Sequence, residues 1–436
     1  RAGTEWVNWL LQLPLEVRMG VVFALGLLLG TQVNHGIYRL AYNKRKIGPW
    51  LPPEEKAPPR RWYDFLPVIG WFTLRREASL HGAGYWLRPA TIELTLAGGL
   101  TLLYWWEVQS GLIPLALAVD HKRPLPDTWI HAQFLAHAIL IALMTTASFI
   151  DVDEKIIPDE ITVLGALLGL ALAAALPFCH LPAWNTGNPA ATVWDADALL
   201  RVASPNAPPA WFSTWQGLLV GIACFVGWWL AIVPSVWRED VGLRQAICYY
   251  FHFARRIILR RDRVLLPILG VGLAVIIGVW LARDSIGLDR WQALFSSLVG
   301  MVAGGAIVWG VRIVGSHALK TEAMGFGDVT LVAMIGAYLG WQPCLMLFFI
   351  APFIGVVIAL VNLLLRGELE IWYGPFLCLG ALVVIVFWAP IWAQYSLMFS
   401  MGLLVPALVV IMFAMTWALL IIWRFIKLKL IFRESD

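Results

Sequence analysis

Long apolar runs alternate along this chain with short clusters of charge, and the runs are long enough to cross a hydrocarbon core of roughly 30 Å. They predict spans near 18–40, 91–108, 129–150, 160–178, 214–235, 264–282, 292–314, 328–341, 343–365, 374–393 and 397–424, about eleven in all. Lipid offers a backbone no hydrogen-bond partners, and these Leu, Val, Ile and Ala runs lack the alternation of a barrel strand, so each span is read as a helix. The predicted fold class is all-α, a polytopic transmembrane helical bundle. Two stretches, 212–221 and 295–304, loosely echo each other and carry Gly217, Gly221, Gly300 and Gly304 at spacings that favour close helix packing.

The polar stretches give this bundle an orientation. The connection after the first span carries Lys44, Arg45, Lys46, Lys56, Arg60, Arg61, Arg75, Arg76 and Arg88, which predicts a cytoplasmic loop and an external amino terminus. Alternation then places 179–213, with Arg201 alone, outside, and the arginine-rich 236–263 inside. The tail with Arg424, Lys427, Lys429 and Arg433 also falls inside. The loop 41–90 is long enough to fold as a small cytoplasmic subdomain. The stretch 179–213, rich in Pro, Asn, Ala and Trp, reads as irregular. For 236–263, where arginines mix with Tyr249, Tyr250, Phe251 and Phe253, a helix lying on the anionic inner leaflet and a topology-setting loop both remain open.

Composition agrees: 60% of residues are hydrophobic and only 14% charged, so the net charge of +4 carries no message about nucleic acid. Cys179, Cys224, Cys248, Cys344 and Cys378 form no close pairs, so neither a zinc knuckle nor a disulfide framework is expected. No cleavable signal peptide is evident after Arg1, and the first span is read as a permanent helix.

Against this background two carboxylates stand out, Asp151 and Asp328, each at the edge of an apolar run and, on the predicted topology, both at cytoplasmic helix ends. An acid at a membrane boundary is a functional-site hypothesis by default. Gly325 and Gly327 let another backbone approach beside Asp328. Two aspartates sharing a site cannot both ionise, and one can then deprotonate water while the other protonates a scissile carbonyl. The bland readings differ by residue. Asp159, after Pro158 and before Glu160 and Thr162, is favoured as a helix-start acid, while Asp153 and Glu154 read as solvated loop charges. Asp328 is read as catalytic rather than as a cap. His35, His131 and His137 lie in spans without ligand spacing and read as packed, hydrogen-bonded side chains. No HExxH motif occurs.

At these residues the chain resembles the type IV prepilin peptidase family, GxGD-class membrane aspartic proteases. The resemblance is carried by Gly30-Thr31-Gln32-Val33-Asn34 through Tyr38-Arg39-Leu40, by Pro67 through Trp71 to Arg75, by Arg88-Pro89 with Glu93, by Ile150-Asp151 through Pro158-Asp159, by Glu322 through Gly325-Phe326-Gly327-Asp328, and by Tyr373-Gly374-Pro375-Phe376. It implies an aspartic endopeptidase with Asp151 and Asp328 as its dyad, supported by Gly325, Gly327, Pro158, Asp159, Gly374 and Pro375. It also implies that prepilins or pseudopilins are cut on the cytoplasmic side of the inner membrane, as in type IV pilus or type II secretion systems, and that the new amino terminus is methylated by S-adenosylmethionine. Asn34, Arg39, Pro67, Trp71, Arg75, Arg88 and Glu93 are the residues associated with methylation. Glu54, Glu55 and Glu77 are candidate contacts for the basic leader. No metal site is expected, and the partners are prepilin substrates and membrane lipids.

The resemblance divides the chain into 1–40, 41–90, a peptidase core 91–393 with an additional segment around 211–283, and an additional helix and tail, 394–436. The chain departs from the family's pattern at two places. The loop 41–90 lacks the paired C-x-x-C of many members, and Thr330 stands where a lysine is usual. A peptidase without methylation, a proton-coupled transporter using the same acids and an inactive scaffold are the alternatives.

Overall fold

In the computed structural model the described residues are 13–43, 47–50, 53–54, 56–110, 127–183, 199–232, 264–321, 323–366 and 373–430. Among them every named element is helical: α1 (Leu15–Leu40), α2 (Ile69–Leu74), α3 (Ala78–His81), α4 (Leu87–Ser110), α5 (Asp127–Glu154), α6 (Asp159–Ala175), α7 (Trp215–Ile232), α8 (Leu265–Ile286), α9 (Leu288–Leu319), α10 (Phe326–Leu339), α11 (Trp341–Arg366), α12 (Tyr373–Val386), α13 (Trp388–Phe399) and α14 (Leu404–Leu430). The arginine-rich stretch 236–263 lies outside the described residues.

Seven of these helices are long and apolar enough to cross a membrane, and eight if α12 and α13 count as one bent span. The remaining expected spans coincide with helices of another character. The expected span 91–108 lies in α4, where Glu93 and Glu107 interrupt the apolar run. α6 has 17 residues and α10 only 14, so α10 is too short to span unaided at 1.5 Å per residue. The expected span 374–393 breaks at Phe387, where α12 and α13 meet at 90°. Pro390 supplies the reason. It has no N–H to donate to the carbonyl four residues back and its ring crowds that carbonyl, which favours a kink or break at this point. The freed oxygen, on Val386, instead accepts the Trp106 indole N–H at 3.0 Å.

The chain forms two compact units, each assembled from separated segments. The first comprises Arg1–Gly165, Asn188–Asp195 and Met346–Tyr395. Its α1 and α4 cross closely because Gly26 and Gly30 leave room for the Cα atoms of Ala97 and Glu93, each 2.8 Å from where a Cβ would stand. The subdomain of α2, α3 and flanking 3-10 turns packs beside α4 through the buried Trp71 and Leu74.

The second unit comprises Ala166–Gly187, Ala196–Leu345 and Ser396–Asp436, and α9 is its axis. The glycine spacings act there as expected. A Cβ on Gly300 would strike the Gly336 carbonyl, and one on Gly304 would lie 2.7 Å from the Val332 carbonyl, so α9 and α10 touch backbone to backbone. Packed this way, every residue from Asp328 to Leu339 is buried. Of the stretch 179–213, the described parts 179–183 and 199–213 are largely irregular, and they are packed rather than loose. Leu181, Leu199 and Leu200 are buried, and the Gln342 amide donates to the Arg201 carbonyl at 2.7 Å. α8 and α14 are almost bare, with Ile276 alone buried in α8, as apolar helices facing lipid would be.

Candidate active site

Asp328 sits in the first turn of α10, and the turn forms for local reasons. Gly325 is extended at the N-cap (φ −67°, ψ 153°), Phe326 begins the helix, and the Thr330 hydroxyl donates back to the Gly327 carbonyl at 3.0 Å. A carboxylate in a first turn faces the positive end of the helix dipole. Asp328 is only 9% exposed, so it is an acid at the mouth of an apolar interior. A Cβ on Gly325 would lie 3.7 Å from its Oδ2, an ordinary contact. The folded chain therefore does not itself demand glycine at 325, and the bare backbone there remains open to another chain.

Asp151 belongs to the first unit and Asp328 to the second. Asp151 lies in the last turn of α5, which stops where Lys155 turns left-handed (φ 60°) and donates its N–H to the Asp151 carbonyl at 2.8 Å. The Asp151 carboxylate accepts the backbone N–H of Gly374, in the first turn of α12. This contact requires glycine, because a Cβ at 374 would stand 2.6 Å from Asp151 Oδ2 and 3.0 Å from Ile157 Cδ1. Pro375 follows at a position where the N–H would in any case lack a helical partner. Gly374 and Pro375 thus turn the amino end of α12 into a donor for Asp151.

Around Asp151 the neighbouring acids Asp153 and Glu154 are exposed and half-buried, as solvated charges would be, but they lie in the last turn of α5 rather than in a loop and both have partners. Asp153 pairs with Arg88 at 2.8 Å, and Arg88 also lies over the Phe149 ring. Glu154 accepts the backbone N–H groups of Tyr42 and Asn43 at 2.6 and 2.8 Å, clasping the end of α1. Pro158 is buried and its carbonyl accepts the N–H of Ile161, while Asp159 is exposed in the first turn of α6.

A second cluster, wholly within the first unit, is built around Glu93. Its carboxylate is fully buried and receives the Trp71 indole N–H at 2.8 Å, the Asn34 amide at 3.1 Å and the Val68 backbone N–H at 2.5 Å, with the Thr31 hydroxyl at 3.2 Å. Asn34 also donates to the Pro89 carbonyl at 2.9 Å. A buried carboxylate with this many donors is satisfied and rigid. Val68 takes a left-handed φ of 62°, unfavourable for a β-branched residue, in the segment whose N–H Glu93 holds. Asn34, Pro67, Trp71 and Glu93, far apart in sequence, therefore converge. Arg39 and Arg75 are exposed and stand outside the cluster, and Arg88 serves Asp153. Thr31 and the Val68 N–H were not anticipated as members; the signal for Thr31 was its place one turn from Asn34.

Beside Trp71 opens a narrow cleft lined by Asn34, His35, Tyr38, Trp50 and Trp71. Asn34 Oδ1 is buried there without a hydrogen-bond partner. The cleft measures only about 10 Å³, room for a single water, so as folded here it is too small for S-adenosylmethionine. The histidines read as packed side chains all find partners: His131 meets the Tyr104 hydroxyl at 3.0 Å, His137 the Glu107 carboxylate at 2.7 Å, and His35 the Arg39 side chain at 3.5 Å. Glu107, fully buried, was not singled out from the sequence. Glu77 is 2% exposed and tied to Arg60, so it is not available to a leader peptide. Among the described residues no three His, Cys, Asp or Glu gather as metal ligands.

Residues 248–360 match the type IV leader peptidase family. The chain is 32% identical over 136 residues to the prepilin leader peptidase/N-methyltransferase of Escherichia coli K12, covering 31% of this chain and 55% of that protein. It is 30% identical over 137 residues to the protein of the same name from Stutzerimonas stutzeri (31% and 44%), and 28% identical over 129 residues to that from Pseudomonas aeruginosa (29% and 41%). The chain thus spans about half the length of the curated relatives it matches. No solved structure matches it. The family match includes Gly325 to Asp328, whereas Asp151, Gly374 and the Glu93 cluster lie outside it.

Proposed function

We propose that this chain, whose residues 248–360 carry a type IV leader peptidase domain, is a membrane aspartic endopeptidase that removes the leader of prepilins or pseudopilins and then methylates the new amino terminus. The observation that carries the reading is Asp328: a nearly buried acid, one turn into a fully packed helix, inside the matched segment. In this reading Asp151 and Asp328 act as a dyad. One, ionised, takes a proton from water as the water attacks the scissile carbonyl, and the other, protonated, donates to the carbonyl oxygen. The tetrahedral intermediate collapses as the departing amine is protonated. The Gly374 N–H holds Asp151 in place.

Methylation follows on the amine so released. S-adenosylmethionine, when bound, supplies an electrophilic methyl group. Glu93 fixes Asn34 and Trp71 and touches neither reactant. The predicted topology, with both acids facing the cytoplasm at the inner membrane, suits a substrate whose leader has not been translocated.

The test is incubation of the full chain in nanodiscs with a prepilin-type peptide and S-adenosylmethionine, reading product masses. Cleavage with a gain of one methyl, lowered on the order of 10²-fold or more in Asp328→Asn, is expected. Cleavage retained in Asp328→Asn would remove the aspartic mechanism, and cleavage without mass gain would leave a peptidase alone.

A further inference from the structure

The subdomain between α1 and α4 contains an open groove of about 860 Å³ that the proposed chemistry does not use. Its lining includes Arg61, Arg75 and Arg76 together with Tyr63, Phe72 and Trp86. The carboxylates around it are already committed. Asp64 is fully buried and holds Arg76 at 2.6 Å, and Glu77 holds Arg60. Asp153 holds Arg88. Among the described residues no carboxylate pairs with Arg61 or Arg75; Arg61 lies over the Tyr63 ring, and Arg75 is exposed. The groove therefore carries two uncompensated guanidinium groups and no acid in its lining.

We infer that this groove seats the phosphate of an anionic lipid headgroup, with Arg61 and Arg75 as its ligands and Phe72 and Trp86 against the adjoining glycerol and acyl region. Guanidinium groups match phosphate oxygens in a planar, bidentate geometry that an ammonium cannot reproduce. Aromatic rings beside them suit the boundary between headgroup and hydrocarbon. The setting is appropriate, because Trp86 directly precedes α4 and the subdomain is tethered at its other end by α1, which is long and apolar enough to span. Leu66, Ile69 and Phe72 are exposed on this small subdomain, an apolar rim beside the arginines. A basic leader peptide is the wrong partner for such a groove. The inference concerns lipid binding and stands whether or not the chain cleaves prepilins.

Hydrogen exchange over residues 60–88 of the full chain, in nanodiscs of phosphatidylcholine with and without phosphatidylglycerol, tests it. Added protection only with phosphatidylglycerol is expected. The amount of that lipid needed for half-maximal protection should rise about fivefold for Arg61→Gln or Arg75→Gln, as expected for one cation near an anionic surface. Equal protection in both lipids would mean that the apolar rim alone binds the bilayer and would overturn the proposal. Equal protection by inorganic phosphate in phosphatidylcholine discs would overturn the assignment to lipid. The comparison of lipids on the unmodified chain decides the question even if a variant fails to fold.

Discussion

At the scale of single residues, the close approach that bears on the proposed chemistry is that of Asp151 Oδ2 to the backbone of Gly374. A methyl group at 374 would press on the carboxylate from 2.6 Å and on Ile157 from 3.0 Å. Either Asp151 turns away and loses its N–H donor, or α12 shifts. Displacing a catalytic group by about 1 Å costs roughly hundredfold in rate. Gly374→Ala should therefore lower cleavage by about that factor while the chain still folds, and cleavage at the parent rate would show that the contact does not position Asp151. Asp64 allows a separate prediction. Burial alone would raise its titration point, but hydrogen bonds from the Arg76 side chain, the Arg61 backbone N–H and the Thr73 hydroxyl outweigh it and hold it below the usual carboxylate range. A group whose folded value is depressed stabilises the fold above its unfolded value, about 3.9, and loses that contribution as pH falls through the folded one. Exchange protection of residues 61–77 should thus be flat from neutral pH to about 4 and drop below it, with Asp64→Asn poorly protected throughout. Much of this was legible in the sequence. The motif residues Asn34, Trp71, Glu93, Asp151 and Gly374 could be named, but their pairings could not, because each contact joins residues dozens to hundreds of positions apart and no local pattern encodes which donor meets which acceptor.

At the scale of elements, the apolar runs located most helices well, since a lipid-facing helix needs little beyond length and apolarity. α8 and α14 are of this kind. The pattern gave less where something other than lipid decides. α10 is apolar yet only 14 residues long, buried because Gly300, Gly304 and Gly336 allow α9 to meet it at backbone distance. The glycine spacing in α9 was visible; its partner was not. The α12–α13 bend turns on Pro390 and on Trp106, a donor from another helix. The close crossing of α9 and α10 gives a prediction about Asp328, because the helix that carries it is located by these glycines. Gly300→Ala or Gly336→Ala places a methyl against a facing carbonyl, and overpacking of this kind costs about 1–3 kcal/mol. The expected result is a lower thermal midpoint in detergent together with weaker cleavage. An unchanged midpoint in both variants would show that the crossing relaxes freely.

At the scale of the whole molecule, the chain is built as two units drawn from interleaved segments, with Asp151 in one and Asp328 in the other. Charge bias and hydropathy run along the chain one segment at a time, so the sequence could suggest a common membrane side for both acids but carries no sign of the interleaving, which arises from side-chain packing between distant segments. If the two acids work as one dyad, removing either leaves a single carboxylate that cannot both accept the proton of water and donate to the carbonyl. The second removal then has nothing further to abolish. Asp151→Asn and Asp328→Asn should each lower cleavage by on the order of 10²–10⁴-fold, the scale of general acid–base catalysis, and the double variant should be no slower than the worse single one. Groups acting independently would instead multiply their losses. Parallel measurement of kcat/KM for the three variants decides between these outcomes, provided each keeps the parent's thermal midpoint, and multiplied losses would assign the two aspartates to separate tasks.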